Sequence, residues 1–183
     1  MKKILTTPLS PKKNTPKDLY ESLLKEIKLL DQYIATSSTT PKNLSTRIVT
    51  NSKVVKNGDT FIALCSQHAN YHRYIKEAID AGAALIICSN KAYLRDHQHT
   101  PWICVKDTQY THSCLQAYLH NHPQKKLKLL AITGTNGKTT TAWMSYDILR
   151  LSGIKCAYIG TLGLYYADGS RKDIVYNGKT RKE

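Results

Sequence analysis

Apolar residues recur every three or four positions between Pro16 and Leu30. Leu19, Leu23, Ile27 and Leu30 share one face, and charged residues fill the other, which predicts an amphipathic helix. The pattern then changes. Thr36 to Asn43 is polar and contains Pro41, as a loop does. Ile48 and Val49 read as a strand, and Lys56-Asn57-Gly58-Asp59 as a turn. Short apolar runs at Phe61–Cys65, Ala83–Cys88 and Trp102–Val105 predict buried strands. Helical spacing predicts helices over Tyr74–Ala81, which ends near Gly82, and Thr108–His120, which stops before Pro123.

His122-Pro123-Gln124-Lys125-Lys126 breaks the pattern and marks the expected domain boundary. Beyond it, Leu127–Thr133 reads as a strand, Thr139–Leu151 as a helix closed by Gly153, and Lys155–Ile159 as a second strand. That is a βαβ unit of ordinary length. Leu164-Tyr165-Tyr166 should turn at Asp168-Gly169 and return through Ile174-Val175-Tyr176 as a hairpin. The expected class is α/β. Residues 1–44 form an N-terminal tail and helix and 45–122 a small α/β domain; with Gly134, Gly137, Lys138 and Thr139 between its first strand and its helix, 123–183 reads as the first βαβ portion of a P-loop ATPase domain.

Composition narrows the choices. The chain has 183 residues, and an apolar share of 41% suffices for a core. Lys plus Arg number 27 against 13 Asp plus Glu, a net charge of +14 that suits anionic partners. The lysines are spread along the whole chain, without a basic block or an aromatic–basic RNA-binding signature. A solvated surface explains them better than nucleic acid does. The five cysteines include no C-x-x-C pair, which speaks against a disulfide framework or structural zinc and fits a reducing cytoplasm. His112-x-Cys114 and His120-x-His122 have no zinc spacing. The apolar start Ile4-Leu5 stops at Thr6, too soon for a signal peptide, and no run is long enough to span a bilayer. A cytoplasmic location is expected.

The chemistry lies in Thr133-Gly134-Thr135-Asn136-Gly137-Lys138-Thr139-Thr140. Glycines permit turns that aim successive N–H groups at one anion, and the following helix adds its positive dipole end. Lys138 supplies a mobile charge for the β- and γ-phosphates of ATP, and the Thr139 hydroxyl is suited to Mg²⁺. The pattern departs from G-x-x-x-x-G-K-[ST] at one place: Ile132 stands where the first glycine would be, and Gly134 lies nearer the lysine.

This shortened loop resembles the ATP loop of the Mur ligases and of their relatives, the folylpolyglutamate synthetases. Thr46–Leu64 resembles the N-terminal uridine-nucleotide domain of Mur ligases, with its D-S-R-x-V-x-x-G-D-x-F pattern; Gly82-Ala83-Ala84 and Gly160-Thr161-Leu162-Gly163 also fit. Asn51-Ser52-Lys53 replaces the family's Asp-Ser-Arg, and Asn70-Tyr71-His72 its Asp-Gly-His. Within the family the likeness is nearest to enzymes that add a diamino acid to UDP-MurNAc-L-Ala-D-Glu. The resemblance implies ATP and Mg²⁺ as cofactors and this UDP-MurNAc-dipeptide and a diamino acid as substrates. It implies that Gly134, Thr135, Asn136, Gly137, Lys138, Thr139 and Thr140 bind the nucleotide, with Lys138 catalytic and Thr139 on the metal. It implies further that Ser52, Gln67, His68 and Ala69 face the UDP-sugar. Family members run on for hundreds of residues, so the chain reads as a truncated or frameshifted product. Nucleotide or UDP-sugar binding without turnover is the alternative function.

Overall fold

The computed structural model describes residues 15–37, 39–66, 69–97, 99–173, 175, 176, 179 and 180. It divides into two compact units, residues 1–127 and 128–183.

The first unit opens with α1 (Pro16–Leu29). Thr15 caps it, its hydroxyl accepting from the Asp18 N–H while the Asp18 carboxylate accepts from the Thr15 N–H. Pro16 sits in the first turn, where its missing N–H costs nothing. Next come β1 (Tyr33–Thr36), β2 (Ile48–Val49), β3 (Thr60–Ile62), β4 (Cys65–Ser66), β5 (Ala69–Asn70), α2 (Ile75–Asp80), β6 (Leu85–Cys88), β7 (Trp102–Val105) and α3 (Thr108–Leu119). Five strands form one sheet in the order β1-β7-β6-β3-β2. All neighbours are parallel except β1, which runs antiparallel to β7 at the edge. Strands β4 and β5 make a separate hairpin.

Both faces of the sheet are covered, which explains why its strands read as continuous apolar runs. Alternate residues go to opposite sides. Ile62, Leu85, Ile87, Ile103 and Val105 pack with Leu19, Leu23 and Ile27 of α1 and Leu115 of α3. Phe61, Ile86 and Cys88 pack with Ile75 and Ala78 of α2 and with Leu94. The helix assigned by sequence to a leading segment of 1–44 thus shares the core of the sheet. Leu19, Tyr20, Leu23 and Ile27 are buried. At about 2 kcal/mol per side chain their burial outweighs the ~1 kcal/mol of the N-cap, so packing fixes α1 in place.

Two strand assignments change. Strand β1 was not expected, because Tyr33-Ile34-Ala35-Thr36 is short and only half-buried at a sheet edge. Its register is held by Tyr33↔Val105 and Thr36↔Ile103, and the Thr36 hydroxyl donates to the Trp102 carbonyl at 2.8 Å. The run Phe61–Cys65 leaves the sheet after Ile62, and Cys65 instead pairs with Asn70 in the small hairpin.

The second unit contains α4 (Lys138–Leu151), β8 (Tyr158–Gly160), β9 (Gly163–Tyr165), β10 (Arg171–Lys172), β11 (Val175–Tyr176) and β12 (Lys179–Thr180). Strands β8, β9 and β10 form an antiparallel meander, and β11 pairs with β12. The α/β class holds, but the expected strand over Leu127–Thr133 does not form among the described residues. A strand needs a partner for its backbone groups. Leu129 and Leu130 here are 78% and 70% exposed, and β8 has turned to pair with β9 through the tight connection Thr161-Leu162. The parallel βαβ pairing is therefore not made. The return strand after Asp168-Gly169 is β10, earlier than the expected 174–176; Ile174 lies outside the described residues.

Aromatic rings hold the second unit together. Trp143 on α4 meets Tyr165 edge-on at 4.7 Å and Tyr158 at 5.6 Å, and Tyr146 donates its hydroxyl hydrogen to the Tyr166 carbonyl at 2.7 Å. Trp143 is a packing residue.

Candidate phosphate-binding site

Helix α4 begins differently from α1 and α3. Thr15 caps α1, and the Asp107 carboxylate caps α3 by accepting from the N–H groups of Gln109 and Tyr110. At α4 the capping position is Gly137, and among the described residues no side chain accepts from the first turn. The first intrahelical bond runs from the Thr141 N–H to the Gly137 carbonyl at 2.8 Å, which leaves the N–H groups of Lys138, Thr139 and Thr140 without a partner among the described residues. Gly137 has φ +75° and Gly134 φ +145°, backbone positions where a side chain is strained.

Lys138 folds back over this turn. Its ammonium donates to the carbonyl oxygens of Gly134 and, at 2.9 Å, Thr135. Gly134, Thr135 and Lys138 are thus brought together as expected, with Asn136 and Gly137 completing the exposed turn. The side chain of Thr139 is half-buried, and its hydroxyl lies 2.9 Å from that of Thr161, at the tip of the β8–β9 hairpin. Sequence reasoning used Thr161 only as part of a Gly-Thr-Leu-Gly match. Its spacing of 22 residues from Thr139 carries no local signal of contact.

The uridine-side residues fall elsewhere, in the first unit. Ser52 is buried and donates its hydroxyl hydrogen to Glu77 Oε2 on α2 at 3.0 Å. Gln67 and His68 lie outside the described residues, and Ala69 pairs through its backbone with Ser66. At the two departures from the family pattern the asparagine side chains accept from the backbone two residues on. Asn51 Oδ1 accepts from the Lys53 N–H at 3.0 Å, a capping bond that Asp would also make. Asn70 Oδ1 accepts from the His72 N–H at 3.0 Å and from the His72 ring at 2.7 Å. The Ser89 N–H donates to His72 Nε2 at 3.1 Å, so the ring proton belongs on Nδ1. Tyr93 stacks on the ring at 5.1 Å, and burial pushes the imidazole below its ordinary pKa. Among the described residues no three His, Cys, Asp or Glu side chains gather as a metal cluster, and no helix is long and apolar enough to cross a membrane.

Fold and loop define the class: an α/β protein in which a P-loop-type glycine–lysine turn opens a helix. Residues 132–181 match the Mur ligase middle domain. The chain is 33% identical over 120 residues to a UDP-N-acetylmuramoyl-L-alanyl-D-glutamate–2,6-diaminopimelate ligase of Clostridium botulinum, covering 65% of this chain and 25% of that protein. It is 35% identical over 129 residues to the enzyme of the same name from Clostridioides difficile, covering 70% and 25%. A crystal structure of MurF from Acinetobacter baumannii superposes with a TM-score of 0.50 at 26% identity, covering 74% of this chain and 28% of that one. The chain is thus similar to Mur ligases over part of their length. It spans about a quarter of the length of the curated relatives it matches.

Proposed function

We propose that this chain carries the ATP-binding loop of a Mur ligase of peptidoglycan precursor synthesis, and that the ligase joins a diamino acid to UDP-MurNAc-L-Ala-D-Glu. The observation that carries the reading is the uncapped start of α4, with three free N–H groups beside the Lys138 ammonium. That arrangement suits a polyphosphate. Donors converge from the backbone, the helix dipole favours negative charge, and a lysine can leave two carbonyls for phosphate oxygens. The relatives named as diaminopimelate ligases support the substrate class.

In the proposed reaction the γ-phosphoryl group of ATP passes to the terminal carboxylate, giving an acyl phosphate and ADP. The amine then attacks the carbonyl carbon, loses a proton and expels inorganic phosphate. Lys138 counters the charge that builds on the transferring group, and the loop N–H groups hold the other phosphate oxygens in line. Thr139 offers one neutral oxygen at the same helix end. That donor suits Mg²⁺, which keeps several waters and takes most of its ligands from phosphates; bound there, the ion would screen the phosphate charges. Ser52, Gln67, His68 and Ala69 are proposed to face the UDP-sugar, with Ser52 exchanging its bond to Glu77 for one to the ligand.

A coupled assay for ADP release, with UDP-MurNAc-L-Ala-D-Glu and diaminopimelate, tests the activity. Release that requires both substrates supports ligation by this chain. Binding of ATP without release supports the second reading, a nucleotide-binding chain without turnover.

A further inference from the structure

We propose that Thr161 is a positioning residue that orients the hydroxyl of Thr139 toward a bound divalent cation. The inference rests on the reading of Thr139 as a magnesium ligand. A threonine hydroxyl has one hydrogen and two lone pairs. To ligate a cation it must present a lone pair and send its hydrogen elsewhere, into an acceptor. Either hydroxyl of the Thr139–Thr161 pair, 2.9 Å apart, can donate to the other, so the Thr161 oxygen is placed to serve as that acceptor. Among the described residues no other hydrogen bond of the Thr139 hydroxyl is seen.

The fold supplies the placement. Thr161 and Leu162 form the connection between Gly160 and Gly163, which pair across the β8–β9 hairpin. Trp143 and Tyr146 of α4 pack against Tyr158 and Tyr165 of that hairpin, with ring centroids 4.7–6.3 Å apart. The aromatic contacts dock the hairpin on α4, and its tip falls beside the first turn of the helix. Partners of this kind fix the direction of a metal ligand, and their loss costs on the order of 10–100-fold in metal affinity.

The test is calorimetric titration of the 183-residue chain with ATP, in Mg²⁺ and in EDTA. The readout is the gain in affinity that Mg²⁺ confers. Thr161→Val should cut that gain about tenfold and leave the affinity in EDTA unchanged. Thr161→Ser should restore it, and Thr139→Ala should abolish it. If Thr161→Val keeps the gain while Thr139→Ala loses it, the positioning role is overturned and the magnesium reading stands. If Thr161→Val weakens binding in EDTA equally, Thr161 serves the fold alone and the proposal is overturned. If Thr139→Ala keeps the gain, or the unaltered chain shows none, the magnesium reading falls and takes the proposal with it.

Discussion

The Asp59 carboxylate, buried beneath the start of β3, receives the Arg47 guanidinium at 2.7 Å. The same carboxylate accepts the Lys56 N–H at 2.7 Å and the Ser45 hydroxyl at 3.3 Å, and Arg47 also donates to the Val54 carbonyl at 2.8 Å. Asp59 and Arg47 together thus tie the 45–47 segment, the 56–59 turn and the short helix at 52–54 to one another. This is a structural reason for the Gly-Asp-x-Phe pattern at Gly58–Phe61.

Asp59→Ala should therefore destabilise the first unit by about 3 kcal/mol, since it strands several donors around a buried site. Arg47→Ala should cost about 1 kcal/mol, because Arg47 is 41% exposed and its pair is partly screened. Urea denaturation of the two variants measures both. Equal effects would contradict the asymmetric role.

His72 makes stability depend on pH. Its pKa, and that of His112, is lowered by burial from the ordinary 6.5. The unfolded chain therefore takes up protons first as pH falls. The contribution to stability is complete above pH 6.5 and is lost as pH drops from there toward the folded-state values. Thermal melting between pH 7.5 and 5.5 should show a falling midpoint. His72→Gln should melt lower at neutral pH and with a weaker pH dependence.

The cysteines should differ in reactivity. Burial pushes the Cys88 thiol up to about 12, and Cys104, paired with it across β6 and β7, is also raised. Cys65 is exposed. The thiolate is the reactive form, so a thiol reagent under native conditions should label Cys65 and spare Cys88 and Cys104 until denaturant is added. Peptide mass mapping reads the order.

Much of this fold was legible where the pattern and the packing agree. Leu19, Leu23 and Ile27 read as a helix face and are one, and the alternation of Leu85, Ile86, Ile87 and Cys88 is that of a strand buried on both sides. The errors lie where pairing decides. Leu127–Thr133 has the apolar content of a strand, yet strand formation depends on a partner, and composition does not supply one. Met144, Ile148 and Leu151 have helical spacing and remain exposed on α4, whose buried side is made by Trp143 and Tyr146 instead. The glycine–lysine turn was legible because its geometry is local: spacing alone places Lys138 at the start of a helix. The contact between Thr139 and Thr161 was not, because it depends on how a distant hairpin docks.

The central claim is that the turn from Gly134 to Thr140 binds the phosphates of ATP. Titration of the chain with ATP, beside Lys138→Ala, tests it most directly. The account predicts saturable binding that Lys138→Ala weakens by at least about tenfold, the scale of a charge-assisted bond worth ~1.5–3 kcal/mol, with the thermal midpoint unchanged because Lys138 is exposed and, among the described residues, bonds to its own turn alone. Equal affinity in the two proteins, or no binding by the unaltered chain, would contradict it.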